Sequence, residues 1–136
     1  MKPQVAVVVP THGRPELLAR CLAALAEQTL PGSAFEVVVV SDGPDARTRA
    51  AIERSACPVR HIELPQQRGP AAARNAGWRA AAAEVIAFTD DDTVPAGEAR
   101  LHELFAPMRA AQVEAVYPVA RTTYDTGLPL GGQLVA

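Results

Sequence analysis

Cysteine is nearly absent from this chain. Only Cys21 and Cys57 occur, far apart and in no metal-ligand spacing, which argues against a zinc site or a disulfide scaffold. Cys21 falls among Leu and Ala of a predicted helix, so both thiols are read as reduced packing residues. Long apolar runs are also missing: none approaches the roughly 18 residues that a membrane-spanning helix needs. The N-terminus enters a strand pattern within four residues, without a signal-peptide pattern. A cytoplasmic location is expected, with docking at the inner face of a membrane left open. Positive charge is not in excess either, since 13 Lys and Arg face 15 Asp and Glu for a net charge of −2. Without an overall positive field to hold a polyanion, nucleic acid is not expected as a partner.

What the chain does contain is enough apolar material for one core. At 136 residues, 49% hydrophobic and with a mean hydropathy of +0.04, it has the size of one soluble globular domain spanning 1–136. Residues 5–9 and 35–40 are continuous β-branched stretches, the pattern of strands buried on both faces of a parallel sheet. Between them Leu17, Leu18, Cys21, Leu22 and Leu25 recur at helical spacing, with Pro15 in the first turn and Pro31-Gly32 beyond the end. Further helices are predicted over 45–55, 71–83 and 97–111, and strands over 59–64, 85–89 and 115–119. The tail 121–136 reads as loop. This βαβαβαβαβ order predicts an α/β fold, a doubly wound, mostly parallel sheet with helices on both faces. Trp78 and Phe88 each continue an apolar face and are expected in the core.

In such a sheet, ligands bind outside the carboxyl ends of the strands. Three of those ends are polar: Pro10-Thr11-His12-Gly13-Arg14, Ser41-Asp42-Gly43-Pro44 and Asp90-Asp91-Asp92. Three adjacent carboxylates repel one another, and a cation offsets that repulsion, so a divalent metal is the first reading of the last cluster. The segment from Arg68 through Arg74 and Asn75 opens a helix, where backbone donors and the helix dipole favour anions. Carboxylates and arginines in one crevice suit a metal-bridged diphosphate. His61 and His102 have no partner in the sequence pattern, and His12 reads as a solvated loop residue.

Four of these stretches carry a resemblance. Val7-Val8-Val9-Pro10-Thr11, the run from Glu36 to Gly43, the run from Gly69 to Gly77, and Phe88-Thr89-Asp90-Asp91-Asp92 resemble the ordered motifs of family 2 glycosyltransferases. The resemblance covers about the first 100 residues. It implies the GT-A, Rossmann-like fold, a nucleoside-diphosphate sugar donor (commonly a UDP-sugar), Mg or Mn as cofactor, and transfer with inversion. By that resemblance Pro10 and Thr11 border the base and ribose, with Arg14 in the same loop; Arg74 and Asn75 lie beside the nucleotide; Asp90 and Asp91 belong to its binding; and Asp92 is the metal ligand.

The sequence departs from the family pattern in two places. Ser41, followed by Asp42, stands where the family's second strand ends in a carboxylate that contacts the base. A Ser hydroxyl can accept one hydrogen bond from a pyrimidine ring N–H, or Asp42 can replace it, which favours uridine over guanosine or thymidine. The family's catalytic base and acceptor-binding elements lie downstream of the metal motif, where Glu114 and Asp125 sit in no recognisable pattern. No general base is assigned, and the acceptor is not defined. The chain is therefore expected to be the donor-binding portion, lacking the acceptor-binding half. Two alternatives stand beside the transferase. One is a non-catalytic nucleotide-sugar-binding module. The other is a phosphatase resembling the haloacid dehalogenases, whose aspartyl motif the Asp90 cluster shares without the Gly that follows its second aspartate.

Overall fold

The computed structural model describes residues 3–28 and 34–92, together with the backbone of two short strands at 115–116 and 134–135. Four parallel strands, β1 (Val5–Thr11), β2 (Phe35–Ser41), β3 (Val59–Glu63) and β4 (Val85–Phe88), form one sheet in the order β3-β2-β1-β4. The two β-branched runs are its centre. β1 pairs with β2 over its whole length, from Val5 opposite Phe35 to Thr11 opposite Ser41, and its other edge pairs with β4 from Val5 opposite Val85 to Val8 opposite Phe88. With a strand along each edge and helices over both faces, every residue of β1 is buried.

The alternation of the strands sorts their side chains between two cores. On one face Val5, Val7, Val9, Val37 and Val39 meet Leu18, Leu22 and Leu25 of α1 (Pro15–Ala26), with Ile52 of α2 (Ala46–Glu53) at the margin. Val8, Val38 and Val40 point the other way, onto Ala73 of α3 (Pro70–Ala80). Helices thus cover both faces, the α/β class that the sequence pattern predicts. Asp45 caps α2, accepting from the Arg47 N–H at 3.0 Å and the Thr48 hydroxyl at 3.2 Å. Among the described residues, no helix is long and apolar enough to cross a membrane.

The chain lays down β1, β2 and β3 outward in one direction, then returns through α3 to place β4 on the other side of β1. A parallel sheet whose order reverses in this way opens a crevice between the carboxyl ends at the switch point, here β1 and β4. The fold therefore brings the loop after β1 against the Asp90 cluster after β4.

Three expectations need correction. β5 (Ala115–Val116) does not extend the parallel sheet but pairs antiparallel with β6 (Leu134–Val135), which lies in the tail expected to be loop. The two strands are only two residues each, too short for a periodicity to register. Trp78 and Phe88 are not core residues, being 45% and 51% exposed. α3 buries a narrow stripe, Ala73 and Gly77, so Trp78 falls on the outer side, where its indole donates to Asn75 Oδ1 at 3.1 Å and carries the Arg79 guanidinium 5.5 Å from the ring centre. Phe88 ends an edge strand. The predicted helix over 97–111 lies outside the described residues.

Candidate functional site

Thr11, the last residue of β1, joins the three polar strand ends. Its carbonyl accepts the Asp42 N–H at 2.9 Å, which extends the β1–β2 ladder by one rung, and its buried hydroxyl donates to Asp91 Oδ2 at 2.8 Å. The loops after β1, β2 and β4 thereby share one crevice, as the sequence pattern requires.

Asp91 is the buried member of the acidic cluster. Its side chain is 0% exposed, Arg14 Nε donates to Oδ2 at 3.2 Å, and Arg14 Nη2 lies 2.6 Å from Oδ1. That second approach is an ion pair rather than an aligned hydrogen bond, since no hydrogen-bond partner is assigned to Oδ1. A buried carboxylate without its cation would be costly, so Arg14 and Asp91 are held as a unit. Alternation along the turn then sends the neighbouring carboxylates outward: Asp90 is 58% and Asp92 49% exposed at the side chain. Arg74 Nη2 stands 3.2 Å from Asp90 Oδ1, and Arg14 Nη1 lies 3.7 Å from Asp92 Oδ2. Among the described residues, no three His, Cys, Asp or Glu side chains close a metal cage. The donor set at the rim is two carboxylates with hard oxygens, which is the kind of partial site at which Mg or Mn completes its shell with substrate phosphate and water.

Asp42 does structural work that its position in the sequence did not announce. It is buried, and its two oxygens accept the backbone N–H groups of Arg68 at 2.6 Å and Gly69 at 3.0 Å. Gly69 precedes α3 with φ of 98°, a conformation that glycine adopts without strain. The clamp fixes where α3 begins and hence where Arg74 points.

Beside this clamp lies a cavity of about 250 Å³ lined by Thr11, His12, Gly13, Ser41, Asp42, Gly43, Pro44, Asp45, Thr48 and Gln67. His12 Nδ1 lies 2.9 Å from the Asp42 carbonyl, and since that oxygen can only accept, the nitrogen facing it carries the proton. Ser41 Oγ lies 2.7 Å from His61 Nε2. Burial pushes the His61 imidazole below its ordinary range, against the opposing pull of Glu63. His61 was not a candidate in the sequence, and the signal that exposes it is strand alternation, which turns it to the same face as Ser41. Burial, with the Asp91 carboxylate next in importance, pushes the Cys21 thiol up to about 12, which keeps it protonated. Both cysteines are free and buried, as expected of packing residues.

Of the residues singled out in the sequence, Thr11, Arg14, Asp90, Asp91, Asp92 and Arg74 gather at the switch point, and Ser41 and Asp42 line the adjoining cavity. Pro10 is buried within β1 and lies outside that lining. Asn75 is exposed on α3, paired with Trp78.

Known proteins are similar to this chain in sequence and in fold. Glycosyltransferase AglE of Haloferax volcanii is 32% identical over 96 residues, which cover 68% of this chain and 32% of that protein. The crystal structure of S. aureus TarS 1-349 in complex with UDP-GlcNAc superimposes with a TM-score of 0.80 at 26% identity, over 93% of this chain and 37% of that one. The mannosyltransferase PcManGT from Pyrobaculum calidifontis, in complex with GDP-Man and Mn2+, gives a TM-score of 0.66 at 31% identity, over 72% of this chain and 30% of that one. The chain spans about a fifth to a third of the length of the curated relatives it matches. The sequence model of glycosyl transferase family 2 matches residues 6–132, so parallel sheet, switch-point crevice and motif order have one explanation: the chain belongs to that family.

Proposed function

We propose that this chain is the donor-binding part of an inverting glycosyltransferase that takes a nucleoside-diphosphate sugar, with a UDP-sugar favoured, and passes the sugar to an acceptor bound elsewhere. The observation that carries this reading is the Thr11–Arg14–Asp91 lock at the tip of β1, which presents Asp90 and Asp92 on the rim of a switch-point crevice. Arg14 and Arg74 supply positive charge at the same rim, where a diphosphate would lie, and the cavity beyond Thr11, whose lining has no Lys or Arg, suits the nucleoside. Neighbours crystallised with UDP-GlcNAc and with GDP-Man support the donor class, and the GDP-Man neighbour holds Mn2+.

Asp92, with Asp90 beside it, would hold Mg or Mn together with the donor's phosphate oxygens. The ion, when bound, offsets the negative charge that the nucleoside diphosphate gains as it leaves. Asp91 serves the nucleotide indirectly, by fixing Arg14. The single domain spanning 1–136 is read as the donor half alone.

Calorimetric titration of the chain with UDP, with and without Mn2+, tests the reading. Binding is expected to weaken about tenfold or more on chelation or in Asp92→Ala, the loss of one charge-assisted contact. Affinity indifferent to both treatments would overturn it.

A further inference from the structure

We propose that His61 is a positioning residue for base selection: through its hydrogen bond to Ser41 it sets which hydrogen-bond polarity the nucleoside cavity offers. The inference rests on the donor-binding reading and adds a residue and a rule to it. The cavity lined by Ser41, Asp45, Thr48 and Gln67 contains no Lys or Arg, whereas the rim of the crevice has Arg14 and Arg74. A phosphate belongs at the rim, and an uncharged heterocycle belongs in the cavity.

Ser41 is almost fully buried, it lines the cavity, and its Oγ lies 2.7 Å from His61 Nε2. A hydroxyl has one proton and two lone pairs. When the imidazole is neutral with its proton on Nδ1, Nε2 accepts a hydrogen bond from the Ser41 O–H, and Oγ then faces the cavity as an acceptor, matched to the ring N–H of uracil. When the imidazole is protonated, Nε2 can only donate. Its proton occupies an Oγ lone pair, and the Ser41 O–H turns to the cavity as a donor, matched to the bare ring nitrogen of cytosine. A carboxylate at this position could only accept, so the serine–histidine pair has a freedom that a carboxylate lacks.

The charges around His61 do not override this choice. It projects toward α2 with Arg49 and Glu63, which neutralise each other in an ion pair at 3.0 Å. Asp45 stands at the head of α2, where its N–H donates to Glu63. Val39 and Ser41 on β2 carry no charge, and burial raises the Cys57 thiol, which stays neutral. Desolvation favours the neutral imidazole near pH 7, the form in which Nε2 is able to accept from Ser41.

Competitive titration of the whole chain with UDP and CDP, in excess Mg2+ at about pH 7.5 and about pH 5.5, reads this out. The UDP-to-CDP affinity ratio is expected to favour UDP at the higher pH and to fall at the lower by up to about tenfold, the value of one hydrogen bond. Titration of the terminal phosphate is common to both nucleotides and cancels in the ratio. His61→Gln, which cannot take up a proton, should hold the ratio constant with pH, and Ser41→Ala should bring it close to one at both. A ratio that does not change with pH in the unaltered chain overturns the inference without any variant, as does a His61→Gln protein that keeps the pH dependence. If both nucleotides bind without discrimination, this inference and the preference for UDP fall while the donor-binding reading stands; if neither binds at either pH, the donor-binding reading falls as well.

Discussion

α1 and α3 cover opposite faces of one sheet by different means. α1 drives Leu18, Leu22 and Leu25 into a bed of valines, all of them essentially without solvent contact. α3 offers only Ala73 and Gly77, and a Cβ built at Gly77 would stand 3.1 Å from Val40 Cγ2 and would collide with Val8 Cγ1. Large side chains hold their helix at a distance and contribute burial energy, roughly 2 kcal/mol for each Leu. Small ones let the backbone approach closely, which fixes position with little burial. The face rich in leucine stabilises the domain; the glycine face aims it, because the N-terminus of α3 carries the amides that Asp42 clamps and the arginine that reaches Asp90.

Substitutions that exchange these roles test the contrast. Leu22→Ala is expected to have the largest effect, about 3 kcal/mol of unfolding free energy from the lost transfer energy and the cavity left behind. Denaturant titration would report it, with UDP affinity unchanged for the folded fraction. Gly77→Ala should cost less, about 2 kcal/mol of overpacking. Unlike Leu22→Ala it should also raise amide exchange at Arg68 and Gly69, since a displaced α3 draws them from Asp42. Asp42→Ala removes the acceptor of two N–H groups and should cost about 1–2 kcal/mol, read by thermal unfolding and the same exchange signal. The smallest effect is that of pH. Because burial holds His61 below the ordinary imidazole value of 6.5, the unfolded chain binds its proton first. Stability from this group is present above that value and declines as the solution is acidified through the folded imidazole's range, a decline that His61→Gln should reduce.

The sequence made the architecture legible because the strands are long β-branched runs and the motifs fall at their ends. It placed Thr11, Arg14 and the Asp90 cluster in one crevice for the same reason: chain order and the switch-point rule suffice to bring them together. Division of labour within Asp90-Asp91-Asp92 was not legible, because adjacent carboxylates look alike until the turn decides which one faces inward toward Arg14. His61 was missed because its partner lies on a neighbouring strand, and only the register of Val39 opposite His61 brings it near Ser41. Trp78 was expected in the core because it continues an apolar face of its helix, but a helix that packs through glycine has no room for an indole beneath it.

Thr11 has a consequence for how such a domain can change. One residue grips the loop after β2 with its carbonyl and the loop after β4 with its hydroxyl, so the gap between the cavity and the acidic rim is set by the width of a single amino acid. Either end of the crevice can be altered without altering that spacing. Thr11→Val, nearly the same shape, would cut the side-chain grip alone and leave the main-chain one, letting the acidic turn drift while the cavity wall stays in place.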